Sequence, residues 1–542
     1  VVTWLCYQPA ASNQLLKTWD DPAYVLDNKL LHGLTYKNIS GIFSFHKDLQ
    51  KLTKNYHPLS TLSLAVNHQF SGLNPRGYHL TNIFIHILNS ILVYLLIYLV
   101  ADRKIWAALM AGLLFGIHPM HVESVAWVSE RKDVMYAFFF ISGLILYYFY
   151  VKKKKPLYLV LTLVLFYLSV ISKAMAVVFP VVLLLMDLHL QRKWSYRVLI
   201  EKIPFFIISA FYGWIAIRIQ SEGAINEWQT FTLYQRVIHA SYGFLSYLYD
   251  FFAPFNLSAF YPYPFINEHG VLPLEFRIAP FIFLFIMTLA VGSLFVKNKM
   301  IRVFGIGMLF YFITVALVLQ FLSVGKAITA DRYTYIPYIG IFFILGSWWS
   351  YLIENKKTAY KIAGFAAGVA FLVFSAVMAV QTYHRTAVWH DDITLWSDAL
   401  DQYPDMRMNF IRVKRADEYF EKEDYQNAMK DYQVMASLDA KDDQAPARIG
   451  QIYGQHLHQL DSALVWLNKA YRINPANLTL LKNLGVAYAI KNDISKSLDF
   501  FLEAYARDPA DSILLLNIST NYRAMGNIEK SKEFENLARK NK

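Results

Sequence analysis

The sequence predicts an all-α chain in two parts: a polytopic membrane bundle of about eleven transmembrane helices over residues 1–382, then a water-soluble α-solenoid over 383–542. Three observations lead there. The 542 residues are 56% hydrophobic and 16% aromatic but only 17% charged, against about 25% charged in soluble globular chains. Apolar runs recur up to residue 380, at the roughly 20 residues a helix needs to cross a bilayer. Beyond Tyr383 acids and bases become frequent and residues recur at a fixed spacing.

The expected spans are a remnant near 1–10, then 78–100, 105–117 with its flanks, 134–151, 156–172, 174–190, 203–219, 279–296, 303–322, 336–353 and 361–380. The chain opens Val1-Val2-Thr3-Trp4-Leu5, read as a truncated first span rather than a signal peptide. Connections alternate between two kinds. One kind is basic: Arg103-Lys104, Lys152 to Lys155, Arg192-Lys193, Lys297 with Lys299, and Lys356-Lys357. The other mixes signs: Asp20-Asp21 onward, 118–133, 220–235 and 323–335. Lys and Arg collect on the cytoplasmic side, so the amino terminus is expected inside and everything after 381 outside. The same clustering explains the net charge of +12 without nucleic acid. Residues 236–255 are apolar but carry Arg236, His239, Tyr242, Ser246, Tyr249 and Asp250. They read as an interfacial amphipathic helix or as a re-entrant hairpin. The single cysteine, Cys6, excludes an intrachain disulfide and a Cys-based metal site.

In the carboxy-terminal part Ala436, Ala470, Ala504 and Ala538 are spaced by 34 residues, Asn474-Pro475 recurs as Asp508-Pro509, and Tyr488 recurs as Tyr522. The small residues fall where two helices of a hairpin touch, and Pro closes one hairpin before the next. This is the tetratricopeptide pattern, with about three full repeats and a leading helix near 391–402. Such repeats stack into a solenoid that commonly binds peptide.

Polar clusters concentrate on the outer face. Asp20 and Asp21 are adjacent carboxylates in Trp19-Asp20-Asp21-Pro22. Partial desolvation suits one of them to act as a general base, and Asp before Pro also suits a helix start. The 118–133 loop holds His118, His121, Glu123, Arg131 and Asp133. Its histidines and Glu123 have metal-ligand chemistry, yet the spacing matches no strong zinc pattern and Pro119 interrupts any helix. A phosphate or sugar hydroxyl is the other ligand for either histidine, with Arg131 and Asp133 paired to shape the loop. Asp331-Arg332-Tyr333, with Lys326, offers a planar fork and a point charge for phosphate; an interfacial salt bridge is the alternative. Lys173 stands alone between two apolar runs and calls for an internal partner, a carboxylate or an anionic ligand. His79, Asn82 and His86 share one helix face and suit either packing or catalysis.

Taken together, Trp19-Asp20-Asp21 with Tyr24-Val25, Tyr56-His57-Pro58-Leu59, Gly72-Leu73-Asn74-Pro75 with Gly77-Tyr78-His79 and Asn82, His118-Pro119 with His121, Glu123, Val125, Arg131 and Asp133, Ser172-Lys173, and Asp331-Arg332-Tyr333 with Tyr335 and Pro337 resemble the transmembrane and tetratricopeptide-containing O-mannosyltransferase-like family of the GT-C glycosyltransferase superfamily. The resemblance covers nearly the whole chain. It implies a GT-C fold with its site on the non-cytoplasmic face, a polyprenyl-phosphate-linked sugar donor and a protein Ser or Thr acceptor. It further implies a base in the first outer loop, Asp20 or Asp21. Lys173, Arg332, Arg131, His118, His121, Glu123, Asp331, Tyr333 and His79 become the donor-phosphate and substrate contacts. No metal or other cofactor is expected. His57 stands where the family usually has Arg, so phosphate binding is not assigned to it. The short tail points to a bacterial homologue in an inner membrane with periplasmic repeats, so the sugar need not be mannose. An endoplasmic-reticulum membrane with luminal repeats is the alternative. Expected partners are membrane lipid, the lipid-linked sugar and an acceptor polypeptide at the repeats. Two competing readings are a lipid-linked glycan flippase or exporter and a non-catalytic membrane scaffold. One-sided placement of the polar clusters disfavours transport.

Overall fold

Helices account for the architecture because nearly every backbone polar group in an apolar medium must be satisfied within its own segment. The computed structural model describes residues 1–45, 53, 55–221, 231–264, 272–321, 327–404 and 408–541. Among them there is no β-strand beyond one isolated bridge between Pro262 and Ala327. Two compact units form, Val1–Tyr403 and Pro404–Lys542. The composition change at 383 falls inside a 31-residue helix, Thr358–Val388.

In the first unit six described helices are long and apolar enough to cross a membrane: Pro75–Val100, Val128–Lys153, Tyr196–Gln220, Leu274–Ser293, Lys299–Val318 and Thr358–Val388. The pair Ile105–Ile117 and Pro119–Ala126, bent by 56°, makes a seventh if read as one broken span. The chain is a multi-pass membrane protein. The expected count of eleven is not confirmed among the described residues, where Pro156–Ser172, Ala174–His189 and Tyr338–Glu354 are apolar but shorter. The amino-terminal remnant is shorter still, with helix Val2–Tyr7 and a tight turn over Gln8–Ser12. Residues 236–255 lie mostly in one continuous helix, Leu233–Phe252, rather than a hairpin. Its buried face carries Ile238, Phe244, Tyr247 and Phe251.

Close helix approach in this unit uses small residues, as membrane packing favours. A Cβ on Gly307 would lie 2.5 Å from the Gly340 carbonyl oxygen, so Lys299–Val315 and Tyr338–Glu354 meet backbone to backbone. Lys173 is the extended residue between helix Pro156–Ser172 and the turn Ala174–Val178. That break aims its side chain into the bundle.

The second unit contains four helical hairpins among the described residues. They pair Asn409–Glu421 with Tyr425–Leu438, Gln444–Gln451 (continued by Ile452–His456) with Leu460–Ile473, Leu478–Ile490 with Ile494–Tyr505, and Ser512–Ala524 with Ile528–Lys540. A Cβ on Gly485 would meet the Phe501 ring at 2.5 Å, so the helices of that hairpin pack closely through a small residue. Helix Asp392–Gln402, the expected leading helix of the repeats, groups with the first unit.

Candidate active site

The 118–133 segment is not an open loop. It folds into short turns, Pro119–His121, Val122–Ala126 and Val128–Glu130, before helix Arg131–Lys153. Every residue from 118 to 133 is buried. Burial of this many ionisable groups demands partners, and those partners sort the candidates into those that face a cavity and those that hold the wall.

The cavity has a volume of ≈ 370 Å³. Its polar lining includes Asp20, His57, Glu130, Lys132, Lys173 and Arg332. Met175, Val177, Ile215, Ile219, Leu317 and Val318 are among its apolar lining residues. Glu130 sits at the centre of three cations. Lys132 Nζ lies 3.2 Å from Glu130 Oε1, Lys173 Nζ 3.3 Å from Oε2 and Arg332 Nε 3.5 Å from Oε1. Lys132 also reaches Asp20 Oδ2 at 3.8 Å and stands 4.7 Å from the Tyr24 ring centre, a cation–π arrangement. Lys173 is further paired with Asp133, which accepts the Ser124 hydroxyl at 3.0 Å. The expected Arg131–Asp133 pair is therefore replaced by Lys173–Asp133.

Asp20 and Asp21, indistinguishable in sequence, separate here. The Asp20 side chain is 42% exposed and lines the cavity. Asp21 is 1% exposed and does not line it. Its Oδ2 accepts the Leu16 N–H at 2.8 Å, and its Oδ1 accepts the Ser129 N–H at 3.1 Å and the Ser129 hydroxyl. Burial pushes the Asp21 carboxyl up to about 7, against these hydrogen bonds. Asp21 ties the Asp20 loop to the start of the helix carrying Lys132.

The remaining candidates divide in the same way. Arg332 and Tyr333 line the cavity. Glu123 stands behind them, accepting the Arg332 backbone N–H at 2.9 Å and pairing with its guanidinium. Asp331 is buried, accepts the Tyr261 hydroxyl and is not in the cavity wall; burial, then the nearby Glu123 charge, holds its carboxyl well above the usual range. Arg131 is fully buried and donates to Asn82, to Ser63 and Asn67 at 2.8 Å each, and to the Tyr78 carbonyl at 2.9 Å. Asn82 in turn donates to the Val125 and Trp127 carbonyls. Arg131 thus fastens the wall rather than contacting donor. His118 bonds the Phe251 carbonyl at 3.0 Å and His121 the Phe115 carbonyl at 2.9 Å; neither lines the cavity, nor does the buried His79. Lys326 lies outside the described residues.

Sequence reasoning missed four contributors. Glu130 and Lys132 stood in the run Glu130-Arg131-Lys132-Asp133, where four consecutive charges opening an apolar helix were the available signal. Asn55 and Tyr56 line the same cavity. His57, also in the wall, is held neutral, well below its ordinary value, by burial and then by Lys132 and Lys173.

Comparisons with known proteins find similarity over part of the chain. Protein O-mannosyl-transferase TMTC3 of Homo sapiens is 32% identical over 132 residues, 24% of this chain and 14% of that protein. Protein O-mannosyl-transferase TMTC2 of Homo sapiens is 40% identical over 94 residues, 17% of this chain and 11% of that protein. Over such segments the chain is TMTC-like. Protein O-mannosyl-transferase Tmtc1 of Drosophila melanogaster is 29% identical over 123 residues, 23% of this chain and 14% of that protein. The matches span about a seventh or less of these TMTC relatives' own lengths. No family model matches the chain. Among solved structures, MamA aligns at a TM-score of 0.26 and 15% identity, covering 28% of this chain and 85% of that one. YrrB, described as a TPR protein with an unusual peptide-binding site, aligns at 0.25 and 18%, covering 31% and 84%.

Proposed function

We propose that the chain is an integral-membrane GT-C glycosyltransferase that moves a sugar from a polyprenyl-phosphate donor to Ser or Thr hydroxyls of exported proteins. The observation that carries the reading is the cavity itself, whose lining combines three clustered cations and the accessible Asp20 carboxylate with aliphatic side chains. An amphiphile with an anionic head and a long apolar tail matches that combination. The TMTC-like segments support the same reaction class.

In the reaction proposed, the acceptor oxygen attacks the anomeric carbon. Its proton passes to Asp20, and the bond from that carbon to the phosphate oxygen breaks with the electron pair leaving on the lipid phosphate. General-base assistance contributes about 10²–10⁴-fold. Positive charge preorganised around a departing oxyanion is often the largest single contribution, and Lys132, Lys173 and Arg332 supply it. Glu123 positions Arg332. Glu130 keeps the three cations together when no donor is bound.

On this reading the site faces the non-cytoplasmic side of a bacterial inner membrane, and the repeats in the periplasm engage acceptor or partner protein. The purified chain given polyprenyl-phosphate mannose and a Ser/Thr-rich peptide tests the reaction. Sugar on the peptide, absent with Asp20→Asn, supports it. Transfer equal in wild type and Asp20→Asn would overturn the assignment of the base.

A further inference from the structure

The segment carrying Asp20 is clamped from two sides. Asp21 holds one side through Leu16 and Ser129, as described. On the other side the Asp392 carboxylate accepts the N–H of Lys17 at 2.8 Å, the N–H of Thr18 at 3.1 Å and the Thr18 hydroxyl. Trp396, one turn along the same helix, donates its indole N–H to the Thr18 hydroxyl oxygen at 2.7 Å. Trp19 is inserted between Trp127 and Trp396, with ring centres 4.5 and 4.7 Å away. Asp20 follows directly and carries the exposed side chain.

Asp392 has no local reason for this arrangement. The helix Asp392–Gln402 is already capped by Asp391, whose side chain accepts the Thr394 N–H at 2.9 Å. An acid in the first turn ordinarily faces solvent near its own helix end. Asp392 is instead 2% exposed and spends its acceptors on backbone more than 370 residues away in sequence. A carboxylate buried in that way costs free energy unless its hydrogen bonds are made, so the loop conformation and the carboxylate require each other.

We infer that Asp392 and Trp396 are positioning residues for Asp20: by fixing the backbone at 17 and 18 they set where the base stands opposite Lys132. Helix Asp392–Gln402 leads directly into the repeat unit, which begins at Pro404. The inference rests on the assignment of Asp20 under the proposed function.

The test uses the purified chain in detergent with polyprenyl-phosphate mannose and a Ser/Thr-rich peptide. Asp392→Ala should lower kcat by up to about a hundredfold, the scale of a misplacement of about 1 Å, while donor KM stays unchanged and the acid limb of the pH profile moves. Asp392→Asn, which keeps one acceptor oxygen for the loop, should recover part of the loss. Trp396→Phe keeps a ring in the stack but removes the N–H, and should also lower kcat. Asp401→Asn, exposed on the same helix, should leave transfer unchanged. Wild-type kcat in both Asp392→Ala and Trp396→Phe would overturn the inference, as would a loss confined to donor KM. Loss in Asp20→Asn with full activity in Asp392→Ala fails this inference alone; no loss in Asp20→Asn fails the functional reading.

Discussion

Replacing Lys173 by Met separates what the cation does for the fold from what it does for the reaction. Lys173 is 7% exposed and pairs with Asp133 and, at 3.3 Å, with Glu130. In Lys173→Met, Glu130 retains Lys132 at 3.2 Å and Arg332 at 3.5 Å. Asp133 is fully buried; it loses its cation and keeps the Ser124 hydroxyl at 3.0 Å. Stranding one partner of a buried pair costs about 3–5 kcal/mol, so the melting temperature in detergent should fall sharply. Adding Asp133→Asn removes the stranded charge while an amide oxygen still accepts from Ser124, and most of the stability should return. Transfer should not return. Both variants lack one preorganised cation at the departing phosphate, a loss of about 10²–10³ in kcat for a single such group. The assay is sugar transfer to peptide beside a thermal melt on the same preparations. Recovery of both stability and transfer in the double variant would refute the role of Lys173 in the reaction.

Two further outcomes follow from the same geometry. Glu123→Gln removes the charge that holds the Arg332 guanidinium; a hydrogen bond to a charged group is worth about 1.5–3 kcal/mol, so kcat/KM for the donor should drop about tenfold or more, and an unchanged value contradicts the assignment. Asp21 is raised from 3.8 to about 7 by burial, so across that interval the folded protein keeps a proton the unfolded chain releases. Its contribution to stability is complete below about pH 4 and fades as pH rises through 7; melting measured across that range should flatten in Asp21→Asn, and a slope surviving in the variant speaks against this.

What the sequence revealed and what it hid differ by the range of the interactions involved. The repeats were legible because Ala470, Ala504 and Ala538 recur every 34 residues and are each buried in their hairpins. The all-helical bundle was legible from apolar runs, and three of the expected positions hold shorter apolar helices, Pro156–Ser172, Ala174–His189 and Tyr338–Glu354. Lys173 was legible as a residue needing an internal partner, and its partners proved to be the carboxylates Asp133 and Glu130. The choice between Asp20 and Asp21 was hidden, since it rests on Ser129, 108 residues away. His118 and Arg131 suggested chemistry by residue type; their bonds to the Phe251 carbonyl and to Asn82 make them parts of the wall. Asp392 looked like the start of a repeat; its grip on Lys17 and Thr18 was hidden.

The most direct measurement is the transfer rate of Asp20→Asn beside Asp21→Asn, each purified and supplied with polyprenyl-phosphate mannose and a Ser/Thr-rich peptide. The expected result is no transfer above background for Asp20→Asn at any pH, with reduced but measurable transfer for Asp21→Asn, whose amide still accepts from Leu16 or Ser129. Full transfer by Asp20→Asn, or complete loss confined to Asp21→Asn, would contradict a base at Asp20 facing the cavity of Lys132, Lys173 and Arg332.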